Sequence, residues 1–528
     1  MEMKKKDLFP LLFVIGYLIL NVIFTSKVFS LSHDSILYFW EIIGRLFVLH
    51  PHHLIFCPAM TLGSDTLTNL GFQSTQFAVN FINSIATTAT LIIIYFTLKN
   101  NLGLNLFTSR IAVLLCAFSY ANWFYAINIE TYQIPLVFVF LLVYLITKRS
   151  LNNIDIILAA CFGGIAVLFH QLHALMGLVV VIYLAITGLK TNVTKIIIFT
   201  LVFNLVWIVG YAIALYTLGY DTFDKVSYWF FLYHHEVNSW SGFGISFFAK
   251  PFVGIIRSIV SIHGLLIEGE TNTMLLRIFA GKDLSDDAFI VRNMGAFDFW
   301  LYLLIISSLF SVIVYVFISQ VSRIRRVFAS NSRYFFFVIF MMLYAVFFVF
   351  WDPTNMEFWI PQSILFWICF AVLVGKITPK KNGIIIAGGT VVLLFLLNFR
   401  YTIQPASQIE NDLYHTEVSE AIQSLPNNSI IVYEMEWIAH KYYKIFSPFE
   451  FVIPDSLNSQ IVDFSFKQYI NDMNALGNTV AVKSLVLENQ KDIDESELPK
   501  HTKVVFGITE FFIFRADSLV KSEQFKAN

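Results

Sequence analysis

The sequence predicts a polytopic α-helical membrane protein of about eleven transmembrane helices with a C-terminal extracytoplasmic α/β domain. Three observations predict it. The 528 residues are 57% hydrophobic and 13% charged, with a mean hydropathy of +0.69, more apolar surface than a soluble chain of this length needs. Apolar runs of span length recur up to residue 399, and the loops between them are alternately basic and not basic. From about Arg400 the pattern changes to short strands and helices with mixed polarity.

The runs fall at about 8–30, 76–98, 111–128, 132–147, 154–170, 172–189, 196–219, 299–320, 334–351, 359–377 and 383–399. The first follows Lys4, Lys5 and Lys6, is too long for a signal peptide and lacks a small-residue cleavage site, so it reads as an uncleaved span. Lys99 and Arg110, then Lys148 and Arg149, then Lys190 and Lys195 mark every second loop. Arg323, Arg325, Arg326 and Arg333, and then Lys380 and Lys381, continue the series. Positive charge collects in cytoplasmic loops, so the N terminus is expected in the cytoplasm and the C-terminal domain outside a plasma (inner) membrane.

Residues 1–399 are thus read as a transmembrane domain with large outer loops at 31–75 and 220–298, and residues 400–528 as the soluble outer domain. Within the second loop, 252–266 is apolar but short and carries Arg257 and His263, so it reads as an interfacial or re-entrant helix. In the outer domain, 429–435, 478–487 and 503–514 read as strands and 411–424 and 463–476 as helices. The net charge of -1 says nothing about partners, and no long basic tract suggests nucleic acid. Of four cysteines, three lie in apolar runs and only Cys57 lies in a loop, so no disulfide framework is expected.

The spans carry almost no charge, whereas an ion-driven transporter keeps ionisable groups at bilayer depth. Polar residues collect instead at the outer ends of spans. Asp34 follows the first run, in LSHDSILYFWEIIGRLFVLHPHHLIF, which continues as a helical stretch with a Glu41/Arg45 pair at i,i+4 and ends on His50, His52 and His53. Glu130 and Tyr132 sit between the third and fourth spans, and His170 and His173 between the fifth and sixth. Asp352, Asn355 and Glu357 sit between the ninth and tenth. All of these turns are expected on the outer side, where they could converge on one cavity of an interfacial enzyme.

Each residue also has a plainer reading. Asp34 suits a helix N-cap, and His50, His52, His53 and Glu130 suit solvated loops. His170 and His173 suit a buried structural pair, and Asp352-Pro353 suits a simple turn. Trp123, Trp351 and Trp359 suit interface anchors. Carboxylates and imidazoles together could hold a divalent cation. There is no HExxH, however, and no DxD in the first outer loop, so no metal is indicated.

The acid just past span 1, followed by juxtamembrane helices, resembles the GT-C superfamily of membrane glycosyltransferases. AFSYANWFYAINIETYQIPLVFVF (117–140), GGIAVLFHQLHALMGL (163–178) and FWDPTNMEFWIPQ (350–362) are similar to its branch of protein O-mannosyltransferases and lipid A aminoarabinose transferases. The resemblance covers most of residues 1–400. It implies a polyprenyl-phosphate-linked sugar as donor, a glycan, lipid or protein acceptor, and an inverting transfer on the outer face with Asp34 as the key acid. Many members carry a second acid beside the first, where this chain has His33 and Ser35.

On that reading Asp34 takes the proton of the attacking hydroxyl. Positive charge or strong donors for the lipid phosphate would come from Arg45, His50, His52, His53, Lys225 and Arg257. His33, Glu130, Tyr132, His170, His173, Asp352, Asn355 and Glu357 would bind sugar hydroxyls or orient the catalytic groups. A carrier that flips lipid-linked sugars, and a glycan ligase or polymerase, are the alternatives.

Overall fold

Apolar periodicity becomes helix in this chain, and several of the helices begin at a polar side chain that caps them. In the computed structural model, α1 (Phe9–Ile23), α2 (His33–Ile43), α3 (Phe56–Asn69), α4 (Thr75–Phe96) and α5 (Leu106–Phe118) are followed by α6 (Tyr120–Ala126), α7 (Gln133–Ile146), α8 (Asn153–Phe169), α9 (Leu175–Leu218) and α10 (Phe223–Phe230). The structure describes residues 7–231, 246–266, 285–329, 331–377, 380–432, 438–452, 466–483, 501–507 and 509–514. Lys4, Lys5 and Lys6, on which the predicted orientation partly rests, lie outside the described residues. So do stretches of the 220–298 loop and of the predicted strands and helix at 429–435, 463–476 and 478–487.

Ser74 accepts the Phe77 N–H at the head of α4, Asn105 accepts that of Thr108 at α5, and Asn152 with Asp155 forms a capping box at α8. Each cap satisfies an N–H that the helix cannot bond internally. Lys148 adds an ion pair to Asp155 at 2.7 Å.

Two runs predicted as separate spans, 172–189 and 196–219, form the two limbs of α9 on either side of a kink. The break is at Gly188, with φ of 155°, where the Asn192 amide donates to the Leu184 carbonyl at 3.0 Å. Glycine alone adopts that backbone readily, and the side chain repairs the interrupted ladder. Five helices among the described residues are long and apolar enough to cross a bilayer: Thr75–Asn101, Gln171–Leu218, Ala296–Arg323, Arg333–Phe350 and Lys380–Ala406. Five more apolar helices are shorter, at 10–17 residues. The chain is accordingly a multi-pass membrane protein.

The non-helical backbone after α6 is buried, so its carbonyls need internal donors. The α4 side chains supply them. Asn83 donates to the carbonyls of Asn128 and Glu130 at 2.7 and 3.1 Å, and Ser84 donates to Ala126 at 2.7 Å. Thr87 donates to the Gln133 side chain at 2.9 Å. Polar residues inside α4 thus shape the turn that carries Glu130 and Tyr132.

The chain divides into two compact units. The first comprises Met1–Ser26 with Glu41–Ser407, and the second comprises Lys27–Trp40 with Gln408–Asn528. In the second, β1 (Ile430–Val432), β2 (Glu450–Val452), β3 (Val480–Lys483), β4 (His501–Phe506) and β5 (Thr509–Phe514) form one sheet in the order β2-β1-β3-β5-β4. β1 pairs in parallel with β2 and β3, whereas β5 runs antiparallel to β3 and β4. Alternate residues Ile430, Val432, Val480, Val482, Phe512 and Phe514 bury one face against Ile470 of the helix Phe466–Ala475. The stretch 503–514, predicted as one strand, is a hairpin. Phe506 pairs with Thr509, and Gly507, with φ of 61°, supplies the left-handed residue that a two-residue turn requires.

The same unit holds the segment before α2. Phe29 packs edge-on against Tyr442, with centroids 5.8 Å apart, and beside Phe446 and Phe39. The buried Asp412 carboxylate accepts the Phe29 N–H at 2.8 Å and the Tyr414 N–H at 3.0 Å, so it caps the helix Leu413–Ser424 and clasps residue 29 at once. Burial pushes Asp412 up to about 6, against the backbone bonds that lower it.

Candidate active site

Four turns of the first unit meet through a continuous line of side chains. The His53 ring lies edge-on to His170, with centroids 4.5 Å apart, and His170 lies 5.1 Å from Tyr132. Tyr132 lies 5.6 Å from Tyr125, whose hydroxyl donates to Glu357 Oε2 at 3.3 Å. The loop after α2, the turn after α6, the turn after α8 and the loop 351–359 therefore line one region.

Backbone bonds set the histidines. The Gln171 N–H donates to the His52 carbonyl at 2.9 Å and the Ile55 N–H to Leu168 at 3.2 Å, tying loop to turn. From α9 and α10, Tyr211 donates to the Pro51 carbonyl and Trp229 to Leu49. Burial lowers His50 to about 4 and His52 to about 3, the latter helped by His50, and drives His53 and His170 well below the usual imidazole range. At neutral pH these rings are uncharged. Of the two roles expected of His50, His52 and His53, positive charge or strong hydrogen-bond donors, the direction of these shifts favours the donor. His173 is buried, with Nδ1 3.0 Å from the Tyr344 hydroxyl, in keeping with the structural reading of that residue.

The carboxylates lie deeper than loop charges would. Glu130 is 2% exposed and accepts the Thr131 N–H at 3.2 Å. Glu357 Oε1 accepts from the Asn355 amide at 2.5 Å. Glu357, Glu130 and Arg257 each act electrostatically on the Tyr125 hydroxyl. Asp352 has φ of 34°, unusual for a non-glycine residue, and the Thr354 hydroxyl reaches its carboxylate at 3.5 Å. Such strain is found at functional loops.

Arg257 is 8% exposed on the helix Ser246–Ile259, and it pairs with Asp287 at 3.5 Å. That helix packs within the protein: its Ser258 carbonyl accepts the Ser119 hydroxyl, and Gly254 leaves room for Pro353 and Trp359. Asp287 also lies 3.0 Å from His263 Nε2, and His263 Nδ1 meets Ser261 and Thr402 at 2.8 and 3.0 Å. This Asp287–His263–Ser261–Thr402 network was not apparent in the sequence. Its acid sits in DLSDDAF, and no motif singles it out.

Two expected cations are elsewhere. Arg45 lies beyond the end of α2, with φ of 50°, and pairs with Asp65 at 3.1 Å on the surface, so the predicted Glu41/Arg45 helical spacing does not form. Lys225 pairs with Asp221 at 3.0 Å, both exposed. The approach of neither to a buried phosphate is supported. Asp34 lies in the first turn of α2, in the second unit, where burial pushes it up to about 6. His33 begins the same helix, and its side chain lies outside the described residues. Among the described residues, no group of three or more His, Cys, Asp or Glu side chains is arranged to hold a metal ion.

Comparison with known proteins finds a family resemblance in one stretch of the membrane unit and a similarity of fold over nearly the whole chain. Residues 65–213 match the family model described as dolichyl-phosphate-mannose-protein mannosyltransferase. The whole chain is similar in fold to the crystal structure of ArnT from Cupriavidus metallidurans bound to undecaprenyl phosphate. That match has a TM-score of 0.61 and 8% identity, and covers 97% of this chain and 98% of that one. ArnT in the apo state gives a TM-score of 0.59 at 10% identity, over 96% and 98% of the two chains. A search of curated protein sequences finds no match.

Proposed function

We propose that this protein is an integral membrane glycosyltransferase that moves a sugar from a polyprenyl-phosphate donor to an acceptor hydroxyl on the extracytoplasmic face, with inversion. The observation that carries the reading is the buried line from His53 through His170, Tyr132 and Tyr125 to Glu357, beside Glu130 and Arg257. A carrier for a lipid-linked sugar would gain nothing from carboxylates and a cation fixed together at the ends of its helices. The fold shared with an ArnT bound to undecaprenyl phosphate supports a lipid-phosphate donor.

In the reaction the acceptor oxygen attacks the anomeric carbon, its proton passes to Asp34, and the bond from that carbon to the phosphate oxygen breaks. The lipid phosphate leaves with the electron pair. A single displacement inverts the anomeric centre. Asp34 titrating near 6 is ionised at neutral pH yet basic enough to accept a proton. Arg257, held by Asp287, is the cation best placed among the described residues to stabilise the leaving phosphate. Glu130, Glu357 and Asn355 would hold sugar hydroxyls, Tyr132 and His173 would support the walls, and Asp352 would shape the loop. The N terminus would lie in the cytoplasm and the sheet-containing unit outside the plasma membrane, where it would engage the acceptor.

The test is release of lipid phosphate from candidate polyprenyl-phosphate sugars by purified protein and by Asp34→Asn. A general base contributes about 10²–10⁴-fold, so the variant should lose at least a hundredfold in turnover while remaining folded. Equal release by both proteins would remove Asp34 from the mechanism. No release by either would favour the carrier. Running the assay with and without EDTA asks whether a divalent cation takes part.

A further inference from the structure

The helices Arg333–Phe350 and Ile360–Val374 are joined at one end by the loop 351–359 of the candidate active site. Towards their other ends, a cavity of about 220 Å³ lies between them and the helix Ala296–Ala329. Its walls include Phe317, Tyr334, Phe337, Met341, Phe366 and Leu373. The lining runs from residue 334 to 341 on one helix and from 365 to 373 on the next. At 1.5 Å of rise per residue this is a slot about 10–12 Å long that follows the helices. Basic residues stand at the end of the slot away from 351–359. Arg333 directly precedes Tyr334, and Lys376 follows Leu373 by three positions. The Arg323 guanidinium donates to the Lys376 carbonyl and, at 3.1 Å, to the Gln320 side chain, which fixes it at the end of the helix Ile360–Val374. Arg333 donates to the Asn101 carbonyl at 3.3 Å. A guanidinium carries five N–H donors, so neither is exhausted by these bonds.

We propose that this slot holds an acyl chain of an anionic glycerophospholipid, whose phosphate lies against Arg323, Arg333 and Lys376 at the membrane surface. An apolar void forfeits dispersion contacts along its walls and does not hold water. In a bilayer, hydrocarbon chains are the apolar material at hand to fill it. The basic helix ends then select among lipids, because a negatively charged headgroup gains from them and a zwitterionic one gains little. A polyprenyl donor with its phosphate at Arg333 would be misplaced. The helix Arg333–Phe350 is 18 residues long, so that phosphate would lie about 27 Å from the loop 351–359. The inference goes beyond the glycosyltransferase reading and holds whether or not the chain transfers sugar.

The experiment uses the full chain in detergent with phosphatidylglycerol that carries a photoactivatable diazirine on one acyl chain. Peptide mass spectrometry locates the label, and unlabelled lipids compete for it. Label should appear on residues 334–341 and 365–373, and phosphatidylglycerol should compete at least tenfold better than phosphatidylcholine. Each cation near a membrane surface contributes about fivefold, so Arg323→Gln combined with Arg333→Gln should weaken phosphatidylglycerol at least tenfold and leave phosphatidylcholine unchanged. Cys369→Phe places a ring in the slot, whose wall includes Cys369, and should abolish labelling there while a thermal melt shows the protein folded. Should Cys369→Phe not fold, the double variant decides alone, because its substitutions lie at helix ends outside the slot. Label confined to other segments, equal competition by the two phospholipids, or an unchanged preference in the double variant would overturn the proposal. Competition by undecaprenyl phosphate as strong as that of phosphatidylglycerol would overturn it too, and would assign the slot to prenyl phosphates.

Discussion

Among the bonds of Asp412 are a helix cap and a clasp on Phe29, and Asp412→Ala removes both. The first is the cap on the helix Leu413–Ser424, whose loss costs about 1 kcal/mol. The second leaves the Phe29 N–H without the acceptor it meets at 2.8 Å, in a residue 2% exposed, at about 1–3 kcal/mol. The sum is about 2–4 kcal/mol, or about 30- to 700-fold in an opening equilibrium. Phe29 lies five residues before Asp34, so the opening should loosen the start of α2. Hydrogen exchange of the full chain in detergent should show amides near residue 29 exchanging faster by that factor. Lipid-phosphate release should fall even though Asp34 itself is intact. Asp412→Asn, which keeps one acceptor oxygen, should be milder on both measures. Unchanged exchange around residue 29 in Asp412→Ala would refute the reasoning, whatever happened to turnover.

Further outcomes follow from the same geometry. With Asp34 raised to about 6 and active only when ionised, turnover should fall as pH drops below about 6 and level off above it, a profile that stopped-assay rates from pH 4.5 to 8 would check. Asp287→Asn should remove the charge that Arg257 meets at 3.5 Å, lowering thermal stability by about 3–5 kcal/mol and weakening undecaprenyl phosphate binding; a thermal melt with and without the lipid reads both. Gly254→Ala should press a methyl group into the Pro353 carbonyl and the Trp359 indole, costing about 1–3 kcal/mol, seen as a lower melting temperature. Lys225→Ala should leave turnover within twofold, because its ammonium is paired with Asp221 at the surface.

Much of the membrane unit is legible because bilayer hydrocarbon imposes one rule on every span, and polar residues at span ends stand out against it. Glu130, His170 and Glu357 were visible for that reason, and the structure brings their turns together. What spacing cannot supply is depth. Arg45, Lys225 and Arg257 look alike in the sequence, yet only Arg257 is buried. The histidines read as donors or cations until their burial is known, and burial settles the charge. The Asp287–His263 network escapes because its members lie on separate segments with no shared period. The joining of residues 27–40 to the second unit escapes for the same reason: the bond from Phe29 to Asp412 spans 383 positions. The hairpin at Gly507 was the one local signal left unread, a glycine between two β-branched and aromatic runs.

That long separation bears on how the protein is made. Residues 27–40 leave the ribosome early, whereas Asp412, Tyr442 and Phe446, which hold them, leave near the end. At about 5–20 residues per second, the wait between Phe29 and Asp412 is about 20–80 s. Throughout that interval the helical bundle can insert into the bilayer while the segment around Phe29 still lacks Asp412, Tyr442 and Phe446 to dock on. Chains clipped anywhere before residue 412 would lack the acceptor that the Phe29 N–H meets in the finished fold.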